Sequence, residues 1–196
     1  QIAGEAFFLR AYNYFWIVRL WNRAPLVLET HIFDEAVLDV RSSSPEEIYA
    51  QIISDLEMGM SLMGDTKPQP GRASKGTAMA TLAEVYLQMT GYPLKDASKY
   101  ALAASTAKEL IDNQETYEMG LLEDFAMLWD ATNDGHKEEV FALNFWAGSW
   151  YNGNAGYGLP ARPGDEGGWD DYFTELTFFN EFPERYRKEI TFDTEL

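Results

Sequence analysis

The 196-residue chain is 46% hydrophobic, enough to build a core and too much for a disordered tail. Its 32 Asp and Glu against 15 Lys and Arg give a formal charge of −17, which repels phosphate backbones and anionic lipid and excludes nucleic acid as a natural partner. The absence of cysteine excludes disulfides, thiolate nucleophiles and Cys-ligated metal, and no run reaches the roughly 20 apolar residues that span a bilayer.

The chain opens on Gln1, already inside a helical pattern, so a signal peptide or lipid-attachment cysteine is expected upstream, and the sequence reads as an internal piece. From Gly4 to Trp21 the apolar residues Phe8, Ala11, Tyr12, Phe15 and Val18 recur at three- and four-residue steps, which predicts a helix. Leu9, Trp16 and Leu20 thicken its other face, so the helix is expected to be buried on most sides. The stretch from Asn22 to Thr30, with Pro25, ends it and continues extended. Ser44, Pro45 and Glu47 then form a helix-start signal: a capping serine, a proline at the first helical position and the acid of a capping box. Ile48, Ile52, Leu56 and Met60 follow as a stripe.

A loop from Gly64 to Gly71 separates this helix from a third, Ser74 to about Met89, with Met79, Leu82, Ala83 and Tyr86 on one face. Gly91 to Pro93 breaks it. A fourth helix, about Asp96 to Asp112, carries Ala97, Ala101, Ala104 and Ala107 in a stripe that is expected to admit a close neighbour. The third helix faintly repeats the first, Gly4, Ala6, Ala11 and Phe15 matching Gly76, Ala78, Ala83 and Leu87, about two tetratricopeptide periods on. After the turn at Asn133 to Gly135, Glu139 to Trp146 reads as a strand. A helix is predicted from Asp170 to Asn180. The expected fold is mainly α: tetratricopeptide-like helical hairpins over 1–130, then an irregular, loop-rich carboxy-terminal region with short strands over 131–196.

Few patterns carry catalytic chemistry. His31 and His136 are the only histidines, one in an extended apolar stretch and one in a polar turn, and neither a nucleophile elbow nor a P-loop occurs. Asp130 to Gly135 imitates the opening of a calcium loop, but the twelfth position is Phe141 where a bidentate Glu belongs. No metal or other cofactor is therefore expected. Asp165, Glu166, Asp170 and Asp171 flank Trp169 and are the one glycosidase-like constellation.

The segment from Phe145 to Trp169 holds three tryptophans, two tyrosines and seven glycines without helical period. A sugar ring has an apolar C–H face that stacks on Trp or Tyr, while amides and carboxylates bond its hydroxyls. Trp150, Tyr151 and Tyr157, each near a glycine, are the expected stacking rings, with Asn152, Asn154 and Asp165 as polar partners. Trp169 is the ring more expected to anchor the segment, and it stays among the candidate ligand contacts. Trp146 and Arg162 belong to the same constellation.

Five blocks carry a resemblance. GRASKGTAMATLAEVYL from Gly71, EAFFLRAYNYFWIVRLWNRAPLV from Glu5 and SSSPEEIYAQIISDLE from Ser42 resemble the SusD/RagB family, as do KEEVFALNF and GGWDDYFTELTFFNEFPERYR further on. Where the family pattern has an F…D-x-R element, this chain reads FPERYR from Phe182 to Arg187, with the acid of that element displaced or absent. The resemblance implies a non-catalytic, outer-membrane lipoprotein of Bacteroidetes, anchored through an amino-terminal lipid outside this chain. It implies capture of oligosaccharides and their delivery to a SusC-like, TonB-dependent transporter, with peptide cargo as the alternative within the family. Individual ligand contacts do not carry over from it.

Overall fold

The computed structural model describes residues 1–28, 41–130, 132–133, 135–143, 164, 169 and 173–192, and the structural statements below concern these. They form two compact units, Gln1–Leu121 with Gly135–Ala142, and Leu122–Asp134 with Leu143–Leu196.

The first unit is a run of helices: α1 (Ile2–Trp21), α2 (Pro45–Leu62), α3 (Lys75–Met89) and α4 (Lys99–Asp112). Two of the four starts are written in local chemistry. Ser44 Oγ accepts from the Glu47 N–H while the Glu47 carboxylate accepts from the Ser44 N–H, with Pro45 in the first turn. Ser74 repeats the reciprocal arrangement with Thr77, whose hydroxyl replaces the usual carboxylate. At the end of α1 the chain turns through Asn22 at φ 65°, a conformation Asn tolerates better than most residues, and its N–H closes on Val18 O at 2.9 Å.

Consecutive helices pair as antiparallel hairpins. Gly4, at the start of α1, meets the end of α2: a Cβ there would stand 2.6 Å from Met63 Cγ and 3.0 Å from Gly59 O. At the other end of the same pair, Phe15 lies edge-on to Tyr49, centroids 6.4 Å apart. Lys99 of α4 likewise reaches over the Tyr86 ring late in α3. The core runs through all four helices: Phe8, Ala11, Phe15 and Val18, then Ile48, Ile52 and Leu56, then Ala78, Leu82 and Val85, with Ala103 from α4. A smaller cluster joins Met79 of α3 to Tyr117 and Met119.

One ionic contact is buried within the first hairpin. Asp55, 2% exposed, receives Arg10 Nε at 2.7 Å and Nη2 at 2.6 Å, and Gln51 donates to the same carboxylate. The hydrogen bonds that Arg10 donates to Asp55 raise its pKa above the ordinary value against the opposing effect of burial. Arg10 also donates to Leu28 O, and the Tyr14 hydroxyl accepts from the Val27 N–H at 2.7 Å, so α1 holds the segment that follows it. Within that segment β1 (Ala24–Pro25) pairs antiparallel with β2 (Ser42–Ser43), the register being Ala24 with Ser43.

Four expectations are corrected. The outer face of α1 is open: Leu9 and Trp16 are each 44% exposed and Leu20 64%, because α2 and α3 cover only the opposite side. The predicted alanine stripe is mostly open, Ala107 being the half-buried one of the four and Ala97 lying just before α4. Ala97, Ala101 and Ala104 are exposed, and α4 packs on α3 through Ala103 and its flank. Residues 139–143 are not a strand: the carbonyls of Glu139 and Val140 are met by side chains, Lys67 Nζ and Thr77 Oγ1 (3.2 Å), and not by a neighbouring strand, and 144–146 lie outside the described residues. Finally, 173–175 are non-helical, and the next helix, α5, is the short Leu176–Glu181, started by the Glu175 carboxylate accepting from the Phe178 N–H. The faint repeat survives mainly at its glycines, since Phe15 is buried and its counterpart Leu87 is 54% exposed.

Candidate functional site

The family-like GRASKG block is a joint in the scaffold. Arg72 Nε bonds Glu5 of α1 at 2.7 Å, Ser74 caps α3, and Lys75 pairs with Asp65 at 3.5 Å. Gly76 is needed for close approach, since a Cβ would stand 3.0 Å from Tyr117 Cβ. Arg72, Ser74, Lys75 and Gly76 of the block are thereby used within the fold.

Among the described residues, clefts open on the first unit. One of about 590 Å³ lies between the end of α2, the start of α3 and α4, walled by Asp65, Lys75, Met79 and Glu109. An apolar one of about 370 Å³ is lined by Leu110, Ile111, Met119 and Leu121. A third, about 410 Å³, is bounded by Lys67, Pro70, Tyr117 and His136, and in it His136 Nδ1 is buried with no partner among the described residues. No group of three or more His, Cys, Asp or Glu that could hold a metal occurs among the described residues. Asp130 Oδ1 accepts from the Thr132 N–H at 2.8 Å and its hydroxyl at 2.7 Å, which makes the calcium-like opening a closed polar turn. Phe141, at the loop's twelfth position, instead packs edge-on against Phe8 at 5.0 Å and Tyr12 at 5.3 Å.

Most of the sequence-derived ligand contacts, Trp150, Tyr151, Asn152, Asn154, Tyr157 and Asp165, lie outside the described residues, as do Trp146, Arg162, Glu166, Asp170 and Asp171. Trp169 is described. It is 58% exposed and stands outside any helix.

The second unit contains a ring that the sequence reading passed over. The 3-10 turn Phe125–Leu128 is started by Asp124, whose carboxylate accepts from the Ala126 N–H at 2.9 Å and from the Tyr186 hydroxyl at 2.6 Å. The Tyr186 hydrogen bond, followed by that of Ala126, holds Asp124 below the usual carboxylate range. Tyr186 opens α6 (Tyr186–Thr191), and next to it Arg187 lies 4.9 Å over the Phe125 ring. Phe125 in turn meets Trp129 edge-on, 6.0 Å between centroids at 78°. Trp129, closing the turn by its N–H to Ala126 O, is 68% exposed. The sequence does hold a signal for it, a tryptophan between capping acids at Asp124 and Asp130, but without helical period that signal is weak.

The described scaffold defines a class of protein, an array of antiparallel helical hairpins of the tetratricopeptide kind. Comparison with known proteins makes this more specific. Residues 1–87 match a SusD-like family model described as "Starch-binding associating with outer membrane". SusD-like protein P2 of Formosa agariphila is 29% identical over 207 residues, which cover 98% of this chain and 39% of that protein. A SusD homologue of Bacteroides thetaiotaomicron superposes with a TM-score of 0.67 at 31% identity, over 78% of this chain and 29% of that one. A laminarin-binding SusD-like protein does so at 0.61 and 28% identity, over 70% of this chain and 29% of its own. The chain is thus similar to SusD-like proteins in sequence and in fold, and it spans well under half the length of these relatives.

Proposed function

We propose that the protein captures oligosaccharides at the cell surface without chemically altering them. The observation that carries this reading is the likeness to SusD-like proteins over most of the chain, one of which binds laminarin. An acidic surface favours uncharged ligands, and neutral glycans meet that condition. In this reading the helical scaffold of 1–130 supports the region 131–196, and its ring-rich segment supplies the contacts: Trp150, Tyr151, Tyr157 and Trp169 stack on pyranose faces, while Asn152, Asn154 and Asp165 bond hydroxyls. The captured glycan passes to a SusC-like, TonB-dependent transporter, and an amino-terminal lipid holds the whole protein at the outer membrane.

Affinity electrophoresis and calorimetry against a polysaccharide panel that includes laminarin and soluble starch test the reading. Retardation by at least one neutral glycan is expected, with no release of reducing ends on prolonged incubation. Retention of peptides with no glycan retardation would overturn it, and so would hydrolysis that is lost in an Asp170→Asn variant.

A further inference from the structure

The region around the end of α4 leaves large aliphatic side chains in water. Ile111 is 65% exposed, Leu121 77% and Val140 40%. One such residue on a surface is ordinary, but these three border the same cleft, the apolar one of about 370 Å³, together with Leu110, Gln114 and Met119.

The cleft is built from a helix end and the ties that follow it. Asn113 closes α4 by its N–H to Glu109 O at 3.2 Å, and the chain then folds back so that the Met119 N–H reaches Gln114 O at 3.0 Å. Gly120 donates to Lys137 O at 3.1 Å, which brings in residues 137–140 as a second wall. That wall is held from α3 as well, since Thr77 Oγ1 donates to Val140 O at 3.2 Å. Met119 is itself buried against Met79 and Tyr117. Walls fixed in this way lose little freedom when a ligand enters.

Size and charge select the occupant. A docked helix needs anchors along several turns, whereas α4 lends this cleft only Leu110 and Ile111 of its last turn. The volume is near the lower end of ligand clefts, about 300–1,000 Å³, and suits one alkyl chain better than a two-chain lipid. Gln114, Lys137 and Glu138 are the polar residues that border it. Lys137 is exposed and makes no ion pair among the described residues, while Glu138 is not free. The formal charge of −17 opposes an anionic bilayer, but at physiological ionic strength fields fade beyond about 8 Å, so a single head group senses the charges nearest to it.

We propose that this cleft binds one single-chain amphiphile with a carboxylate head, a fatty acid. The alkyl chain lies on Leu110, Ile111, Met119, Leu121 and Val140, and the head pairs with Lys137. The site is independent of the glycan-capture reading, which stands or falls on its own measurements.

Calorimetry of the full chain with sodium dodecanoate, kept below its micelle concentration, tests this. One saturable site is expected. Lys137→Met should weaken binding about fivefold, the share of one exposed ion pair, and Ile111→Asp, which puts a charge against the chain, about tenfold or more. Dodecyltrimethylammonium, the same chain with the opposite head, should bind about fivefold more weakly than dodecanoate. Both substituted side chains are exposed, so the fold should survive, and thermal melts check that it does. Absence of binding, equal affinity for the ammonium, or uptake of several dodecanoates unchanged in both variants would each overturn the proposal. Sedimentation covers the other occupant: a dimer that Ile111→Asp dissociates would assign the face to a second copy and overturn it too.

Discussion

Phe8 in the first unit has no exposed surface, whereas Phe173 in the second keeps 79% of its own. The contrast extends beyond these two rings. In the helical unit the aromatic side chains Phe8, Phe15 and Tyr49 are buried between consecutive helices, and the polar groups beside them, Asp55 and Ser74, are buried with their partners in place. In the second unit Trp129, Trp169, Phe173 and Phe178 are more than half exposed, while Phe125, Phe179, Phe182 and Phe192 are half-buried, and most of the polar contacts are caps and turns, Lys188 being the buried exception. The same residue type therefore does two kinds of work. Buried between helices, a ring contributes transfer free energy and shape; held on a capped turn, it keeps its face available.

This difference can be tested by mutation, beginning with the buried end. Phe8→Ala removes a ring that touches both the helical core and Phe141, and should cost about 4 kcal/mol, read as a large drop in melting temperature or denaturant midpoint. Should that substitution cost under 1 kcal/mol, the core would not be the source of the unit's stability. Asp55→Ala strands the Arg10 guanidinium against α2. It should cost about 3 kcal/mol, at the low end for a broken buried pair because the Arg10 side chain is 28% exposed. Restoration of stability by a second change, Arg10→Met, would show that the loss comes from the unpaired charge.

A smaller effect is expected of Ser74→Ala, about 1 kcal/mol, through loss of the α3 cap. Its measurement by chemical denaturation would show whether the GRASKG block acts as a structural joint: a stability loss with glycan binding unchanged sharpens that assignment, and the reverse pattern would move the block into the ligand site. The smallest effect belongs to the second unit. Phe173→Ser should shift stability by less than about 0.5 kcal/mol, since it removes a side chain already in water. A drop comparable to that of Phe8→Ala would erase the distinction between the units.

Much of the scaffold was legible in the linear chain, and for identifiable reasons. Ser44 with Glu47, and Ser74 opening α3, mark helix starts through hydrogen bonds that span only three residues, so neighbours along the chain suffice to specify them. Pro25 and the Gly91 to Pro93 break end elements by removing conformations or donors, which is equally local. The stripe Ile48, Ile52, Leu56 predicts its own burial because a helix repeats its face every three to four residues.

The misreadings share a cause. Leu9, Trp16 and Leu20 look like core by composition, and the alanines of α4 look like a helix crossing, but which face of a helix is covered depends on where its neighbours stand. Residues 139–143 read as a strand because β-branched and aromatic residues favour one, yet the carbonyls of Glu139 and Val140 are met by Lys67 and Thr77, more than 60 residues earlier in the chain. Of the candidate site, residue type and glycine spacing single out the segment from Phe145 to Trp169, most of which lies outside the described residues. The contacts of Trp129 with Phe125 and, through that ring, with Arg187 are not legible in that spacing.

The sequence by itself determined the helical class, the positions where helices begin and break, the acidic surface that disfavours nucleic acid, and the likeness to SusD-like proteins. These depend on composition and on interactions a few residues apart. The tertiary structure alone decided which rings are enclosed and which are presented, that Arg10 belongs to Asp55, and that Gly4 and Gly76 are points of close approach. Those outcomes are set by pairings between residues tens of positions apart, whose energies exist only once the chain has brought the two surfaces together.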